Sequence, residues 1–230
     1  MIPVFITVRD QVSPFQMFEQ VLELTDGLPV LVDNASTHPP VVDALREYRE
    51  QYPHVSFGPN QGNLVAWNRD LVLPIDEHME KYGSPYFAVT DGDIDLTGVP
   101  VDALVEMSRV LDQFPEIPKV SLAITISDIP DFNPDRDRII DHELKFWSHR
   151  APVIDHEAYY APSDTHFSMY RAASGWIGYD SIRLAGPFTA RHIPWYWNPQ
   201  ELAEDVRWYL DHLDPTWSTW ATRIRDATAH

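Results

Sequence analysis

Tyr86-Phe87-Ala88-Val89-Thr90-Asp91-Gly92-Asp93-Ile94-Asp95 decides the fold of this chain. Tyr86 to Thr90 reads as a strand with apolar residues toward both faces, and it stops at acidic residues. Strands apolar on both faces belong to parallel sheets covered by helices on each side. In open α/β sheets the ligand sits beyond the carboxyl ends of the strands, which is where Asp91, Gly92 and Asp93 fall. Gly92 permits a sharp turn or a close backbone approach. Two carboxylates one residue apart suit a hard cation that takes oxygen ligands, although a solvated acidic turn would use the same residues.

Outward from this stretch, strand and helix alternate. Ile2 to Val8 is an apolar strand. Ser13-Pro14-Phe15-Gln16 has the form of a helix start, with Ser as cap, Pro at the first position and Gln at the third. Leu28 to Val32 is a second strand, and Pro39-Pro40 opens a second helix with Val41, Val42, Leu45 and Tyr48 spaced for one buried face. His54 to Phe57 is a third strand, and a helix through Val65, Trp67 and Asn68 follows. This alternation predicts a Rossmann-like α/β fold with a mostly parallel central sheet flanked by helices. Right-handed crossovers bring every strand's carboxyl end to one edge, and with them Thr7, Arg9, Asp33, Asn34, Asn60 and Asp91.

The rest of the chain reads as a helix from Val101 to Phe114, a strand from Lys119 to Ile126 and a helix over Asp135 to His149. Strands follow near Val153 to Tyr160, Thr165 to Tyr170 and Arg183 to Ala185. Gly186 to Trp197 reads as an irregular aromatic loop, and Asn198-Pro199-Gln200-Glu201 as the start of a helix reaching His212. The expected organisation is one domain over residues 1–230, in two halves of about 1–97 and about 98–230.

A formal net charge of −18 and a pI near 4.7 argue against nucleic acid or an anionic membrane as partner, since both call for a basic face. An anionic small substrate stays open, because a bound divalent cation inverts the local field. The chain has no cysteine, hence no disulfide and no thiolate site. No apolar run approaches the roughly 20 residues of a transmembrane helix, and no secretory leader is apparent, so a cytoplasmic protein is expected.

Three motifs carry a resemblance. Val32-Asp33-Asn34-Ala35-Ser36-Thr37 resembles the segment after the second strand of GT-A glycosyltransferases of the family 2-like group. Asn60-Gln61-Gly62 followed by Trp67-Asn68 is similar to that group's third-unit pattern, with Ala66-Trp67-Asn68 in place of Ala-Arg-Asn. Val89-Thr90-Asp91-Gly92-Asp93 stands where the family carries its Asp-x-Asp. The match covers residues 2–96 in order and, more loosely, the chain up to His192. It implies a nucleotide-sugar donor, most often a UDP-sugar, an acceptor, and Mn²⁺ or Mg²⁺. Thr7 and Arg9 would line the nucleoside pocket, and Asp33 would accept a hydrogen bond from the base. Asp91 would touch the ribose or a metal-bound water, and Asp93 would ligate the metal. His192, beside Arg191, lies where such enzymes supply a metal ligand from a C-terminal loop, and Arg191 would hold a phosphate. Asp164, in Ser163-Asp164-Thr165-His166-Phe167, falls where the group places its acidic base, but the usual preceding Glu is missing.

Other uses compete. Asp33 and Asn34 also suit a turn before the Pro39 helix. Asp128 and Asp131, on a proline-broken loop, and Trp195 and Tyr196, as an aromatic platform, are acceptor candidates, the aromatic pair equally a piece of core. Asp93-Ile94-Asp95-Leu96-Thr97 also fits the Asp-x-Asp-x-Thr of haloacid-dehalogenase-like phosphatases, with Asp93 as nucleophile and Asp95 as acid/base, although that motif belongs on a first strand. A non-catalytic relative that only binds a nucleotide-sugar or carbohydrate is the remaining alternative.

Overall fold

The structure, a computed structural model, describes residues 1–56, 58–62, 65, 69–164, 166–172, 180–213 and 219–228. The expectations for Phe57, Asn63, Ala66, Trp67, Asn68 and Thr165 fall outside the described residues. The elements in chain order are β1 (Ile2–Val8), α1 (Ser13–Glu23), β2 (Gly27–Asp33), α2 (Pro39–Arg49), β3 (His54–Ser56), α3 (Arg69–Tyr82), β4 (Tyr86–Asp91) and β5 (Ile94–Asp95). They continue with α4 (Ala103–Gln113), β6 (Lys119–Ile124), α5 (Arg136–Glu143), β7 (Ala158–Tyr160), β8 (Ser168–Arg171), β9 (Ser181–His192), α6 (Glu204–Asp211) and α7 (Thr219–Thr228).

The sheet is α/β in its surroundings and mixed in its strand directions. Its order is β3-β2-β1-β4-β8-β6-β9-β5, with β7 also on β9. The first half is parallel, β1 lying between β2 and β4 with Thr7 opposite both Val32 and Asp91. The expectation of a mostly parallel sheet fails in the second half. β8 runs antiparallel to both β4 and β6, and β7 and β5 run antiparallel to β9.

Both faces of the first half are covered. Val4, Ile6 and Val8 of β1 face α1 and α4 through Phe18, Val21, Leu104 and Met107. Phe5, between them, points to the other face, where Val30, Val32, Val89 and α3's Ile75 and Met79 cluster. This period-2 alternation with apolar residues on both sides is the buried-strand pattern the sequence carries.

β9 is the largest departure from expectation. Residues 186–192 are not a loop but the continuation of a 12-residue strand. Its pairing with β6 jumps from Leu122↔Leu184 to Ala123↔Thr189, so Gly186 and Pro187 sit in a bulge. Gly186 has φ 63, and a bulge is where a strand tolerates Pro, which lacks the ladder N–H. The strand resumes beyond the bulge, and Ile94↔His192 and Asp95↔Arg191 pair it with β5.

Two helix starts also differ. Ser13 is inside α1 without a capping bond, its Oγ unpartnered. Asn198 closes a turn instead of capping α6: its Oδ1 accepts from Gln200 N at 3.1 Å, and the helix begins at Glu204. The helix expected over Asp135 to His149 gives way after Glu143 to a 3₁₀ turn, Leu144–Trp147. α6 and α7 share a small core of Trp197, Leu202, Val206, Leu210, Ala221 and Ile224. They are tied to the first half where Val12 N donates to Asp205 Oδ2 at 2.9 Å and Trp208 Nε1 to Thr37 Oγ1 at 3.2 Å. Among the described residues no helix is long and apolar enough to cross a membrane.

Candidate functional site

A cleft of about 510 Å³ opens at the carboxyl edge of β1, β2 and β4. Thr7, Arg9, Asn34, Asn60, Asp91 and Asp93 line one end; Asp164, His166, Glu143, Arg183 and Phe146 line the other, with His192 and Trp195 also on its wall. Edge placement alone gathers the first group, because parallel strands point their carboxyl ends the same way.

The turn at the end of β4 is held tightly. A Cβ on Gly92 would lie 2.2 Å from Thr7 O and 2.4 Å from Pro14 Cγ, so only glycine lets the turn close against β1 and the start of α1. That closure sets where Asp93 stands. On the other side, Ile193 N donates to Asp93 O at 2.8 Å, and the β5–β9 pairing brings His192 alongside. His192 Nε2 lies 3.5 Å from Asp93 Oδ2. Burial disfavours the imidazolium, but Asp93 first, then Asp91 and Asp164, outweigh it and raise the His192 pKa. Asp93 Oδ1 and His192 Nδ1 are both buried without a hydrogen-bond partner in the protein. A buried carboxylate oxygen left unpaired is costly, and a cation at that oxygen removes the cost.

Among the described residues no three His, Asp or Glu side chains form a metal-binding cluster. The pair Asp93 and His192 still fits a hard cation of the kind that takes one or two protein donors and completes its shell with phosphate oxygens and water. Charge points the same way. Asp91, Asp93, Asp164 and Glu143 line the cleft against the guanidinium groups of Arg9 and Arg183, each already ion-paired, with Asp10 and Glu143 respectively. An anionic ligand would be repelled unless a cation accompanied it.

Asn34 is a fastener. Its Nδ2 donates to Asn60 Oδ1 at 3.0 Å and Gly62 O at 3.1 Å, and its Oδ1 accepts from Gln61 N at 2.8 Å. Arg9 Nη1 donates to Asn34 O at 2.8 Å and to Ala35 O, and so clamps the loop after β2. Asp33 is committed within the fold: Oδ1 accepts from Ser36 N at 2.9 Å and Oδ2 pairs with Arg49 Nη2 at 2.6 Å. It stands behind the cleft wall and meets a base only by exchanging Arg49.

Some expected residues gather elsewhere. Arg191 immediately precedes His192 in β9, so strand alternation turns it to the opposite side. There its guanidinium pairs with Asp128 at 2.7 Å, and Tyr196 OH donates to the other Asp128 oxygen at 2.6 Å. Asp128, Arg191 and Tyr196 thus form one cluster outside the cleft lining, and Asp131 is fully exposed beside Arg136. Of the aromatic pair, only Trp195 reaches the cleft; it belongs to the main core and meets the His192 ring edge-on at 4.9 Å. Asp95 turns to Gln20 Nε2 at 2.7 Å and Thr97 N at 2.9 Å and does not line the cleft.

The far end holds residues the sequence reading did not single out. Arg183 Nη1 donates to Glu143 Oε2 at 3.1 Å, with side chains only 6% and 9% exposed, and Phe146 stacks 4.2 Å from the guanidinium carbon. Burial raises the Glu143 pKa against the pull of Arg183. Lys119, fully buried, donates to Ser163 O, and burial lowers its pKa to about 8. A charged residue between apolar neighbours in a strand, as in Ile182-Arg183-Leu184 and Lys119-Val120, is the signal that marks such groups. Asp164, its side chain 70% exposed, reaches into the cleft beside buried His166. Compared with known proteins, the chain matches no family model and no curated protein, so its function has to be read from the site itself.

Proposed function

We propose that the chain is a metal-dependent glycosyltransferase of the GT-A kind that moves a sugar from a nucleotide-sugar, a UDP-sugar in the first instance, to a hydroxyl acceptor. The observation that carries this reading is the meeting of Asp93, with its unpartnered buried oxygen, and His192 at the carboxyl edge of a parallel half-sheet. Asp93 and His192 hold the cation, with Asp91 beside them, and Thr7, Arg9, Asn34 and Asn60 wall the nucleoside end. When bound, Mn²⁺ or Mg²⁺ supplies Lewis-acid neutralisation of charge on the departing diphosphate. Arg183 and Phe146, with Glu143 and Asp164, offer the polar and aromatic surface on which a sugar-like acceptor packs. The phosphatase alternative draws no support from this geometry, because Asp95 is tied up with Gln20 and Thr97.

The test is thermal unfolding with UDP and a panel of UDP-sugars, in Mn²⁺ and in chelator. Saturation at 100 times Kd stabilises by about 2.7 kcal/mol, which is roughly 5–10 °C for a chain of this size. Asp93→Ala should abolish the metal-dependent part and keep the fold. No shift with any nucleotide in the presence of metal sinks the reading. Binding without release of UDP would instead make this a binding protein.

A further inference from the structure

The short loop before β8 presents a second pair of groups to the same cleft. His166 is buried, its side chain 8% exposed, while Asp164 is open to the cleft. The two are joined: His166 Nδ1 lies 3.0 Å from Asp164 Oδ1. An ionised carboxylate only accepts hydrogen bonds, so the bond requires the proton on Nδ1. The lone pair of the neutral ring is then on Nε2. That atom is buried and has no hydrogen-bond partner in the protein, in a residue that lines the cleft. The loop beneath is fixed, Ser168 Oγ donating to His166 O at 2.6 Å and Ser163 Oγ bonding Ser121 Oγ at 2.6 Å. The orphan acceptor is therefore held in place by its surroundings.

The surroundings also set which of the two groups takes a proton. Lys119 of β6 and Arg183 of β9 face the ring from the two packed strands, and Asp164 faces it from its own loop. Burial first, then Arg183 and Lys119, lower the His166 pKa against the pull of Asp164, so the ring is neutral at pH 7. Desolvation raises the Asp164 pKa, but the bonds from the His166 ring and the His166 backbone N–H outweigh it and lower it.

We propose that His166 is the general base of the transfer, taking the acceptor hydroxyl's proton on Nε2, and that Asp164 is the positioning residue that holds its Nδ1–H. The assignment rests on the glycosyl transfer proposed above. In the step, the acceptor O–H bond breaks and its proton goes to Nε2. The acceptor oxygen forms the new bond to the anomeric carbon. The bond from that carbon to the phosphate oxygen breaks, and its electron pair leaves with the nucleoside diphosphate.

The experiment has two arms on the full chain. In the first, nitrogen NMR of ring-labelled histidine at pH 7.5, without nucleotide or metal, reads the tautomer of His166. A neutral ring protonated at Nδ1 is expected, and Asp164→Asn should move it toward the Nε2–H form. An Nε2–H ring in the wild type overturns the assignment. In the second, UDP release from UDP-glucose, UDP-galactose and UDP-N-acetylglucosamine is followed in Mn²⁺ with water as acceptor. His166→Asn keeps a side-chain N–H toward Asp164 but has no basic nitrogen. It should keep the UDP-dependent thermal shift and lose roughly 10²- to 10⁴-fold in kcat, the usual worth of a general base. Asp164→Asn should lower kcat at unchanged KM for the donor. Unchanged kcat in His166→Asn, with the wild type active, overturns the base and leaves the transferase standing. A wild type that neither binds nor turns over a UDP-sugar overturns the transferase and with it the base; the NMR arm still tells whether the pair is built as described.

Discussion

Gly92→Ala tests the packing that sets the position of Asp93. The added Cβ would stand 2.2 Å from Thr7 O, 2.4 Å from Pro14 Cγ and 2.8 Å from Pro14 Cβ, where ordinary contact begins near 3.4 Å. Two of the three obstacles belong to a proline ring and the third to strand backbone, so no side-chain rotation relieves the overlap. Either the turn lifts by about an ångström or β1 and α1 part by as much. Overpacking of this kind costs roughly 1–3 kcal/mol, which for a chain of this size lowers Tm by roughly 2–12 °C. Lifting the turn also carries Asp93 away from His192, so the metal-dependent shift with UDP should shrink more than stability alone accounts for. Gly58→Ala is the control, since nothing lies within 4 Å of its Cβ. The assay is thermal unfolding of the three proteins with and without Mn²⁺ and UDP. A Gly92→Ala Tm within about 1 °C of wild type would refute the reasoning, because an overlap this deep cannot be absorbed without cost.

Breaking the buried Glu143–Arg183 pair with Glu143→Ala should cost roughly 3–5 kcal/mol by stranding a charge, and the double replacement of both by Met should cost less than the single change; urea titration of the two variants decides. Asp128 is partly exposed, so its bonds to Arg191 and Tyr196 are worth about 1 kcal/mol. Burial opposes but Tyr196 and Arg191 lower its pKa, so this contribution is present above the ordinary value of 3.8 and is lost as pH falls through the depressed one. Asp128→Asn should therefore be less stable than wild type at pH 7 and equal to it near pH 2, by chemical denaturation at both; a constant difference would disprove the linkage. His192→Ala should raise the Mn²⁺ needed for half of the UDP-dependent thermal shift by roughly tenfold or more, with the fold retained; an unchanged midpoint would remove His192 from the metal site.

How much was legible depended on the range over which each feature is decided. Short continuous apolar runs in Ile2 to Val8 and Tyr86 to Thr90, and Pro39 at a helix start, are local properties, and they placed β1, β4 and α2. Parallel order then required no further information to put Thr7 and Asp91 side by side, as their register confirms. Asp33 read as a base acceptor or a turn residue, and neither reading included Arg49, which arrives from the far end of a helix. Arg191 was legible as a cation but not as one facing away from His192, which only its place in a strand decides.

The sequence by itself determined the first half-sheet, its edge, and the acidic turn with the glycine that the turn requires. The tertiary structure alone decided the rest of the site. Gly186-Pro187 ends a strand in local terms, yet β9 carries them as a bulge because β6 on one side and β5 at its end supply ladder partners that no window of sequence contains. That pairing brings His192 to Asp93 across nearly half the chain. Likewise His166 follows Asp164 by two positions in the sequence, both in a loop. Burial against β6 and β9 is what leaves one ring nitrogen bonded to a carboxylate and the other buried and unpaired.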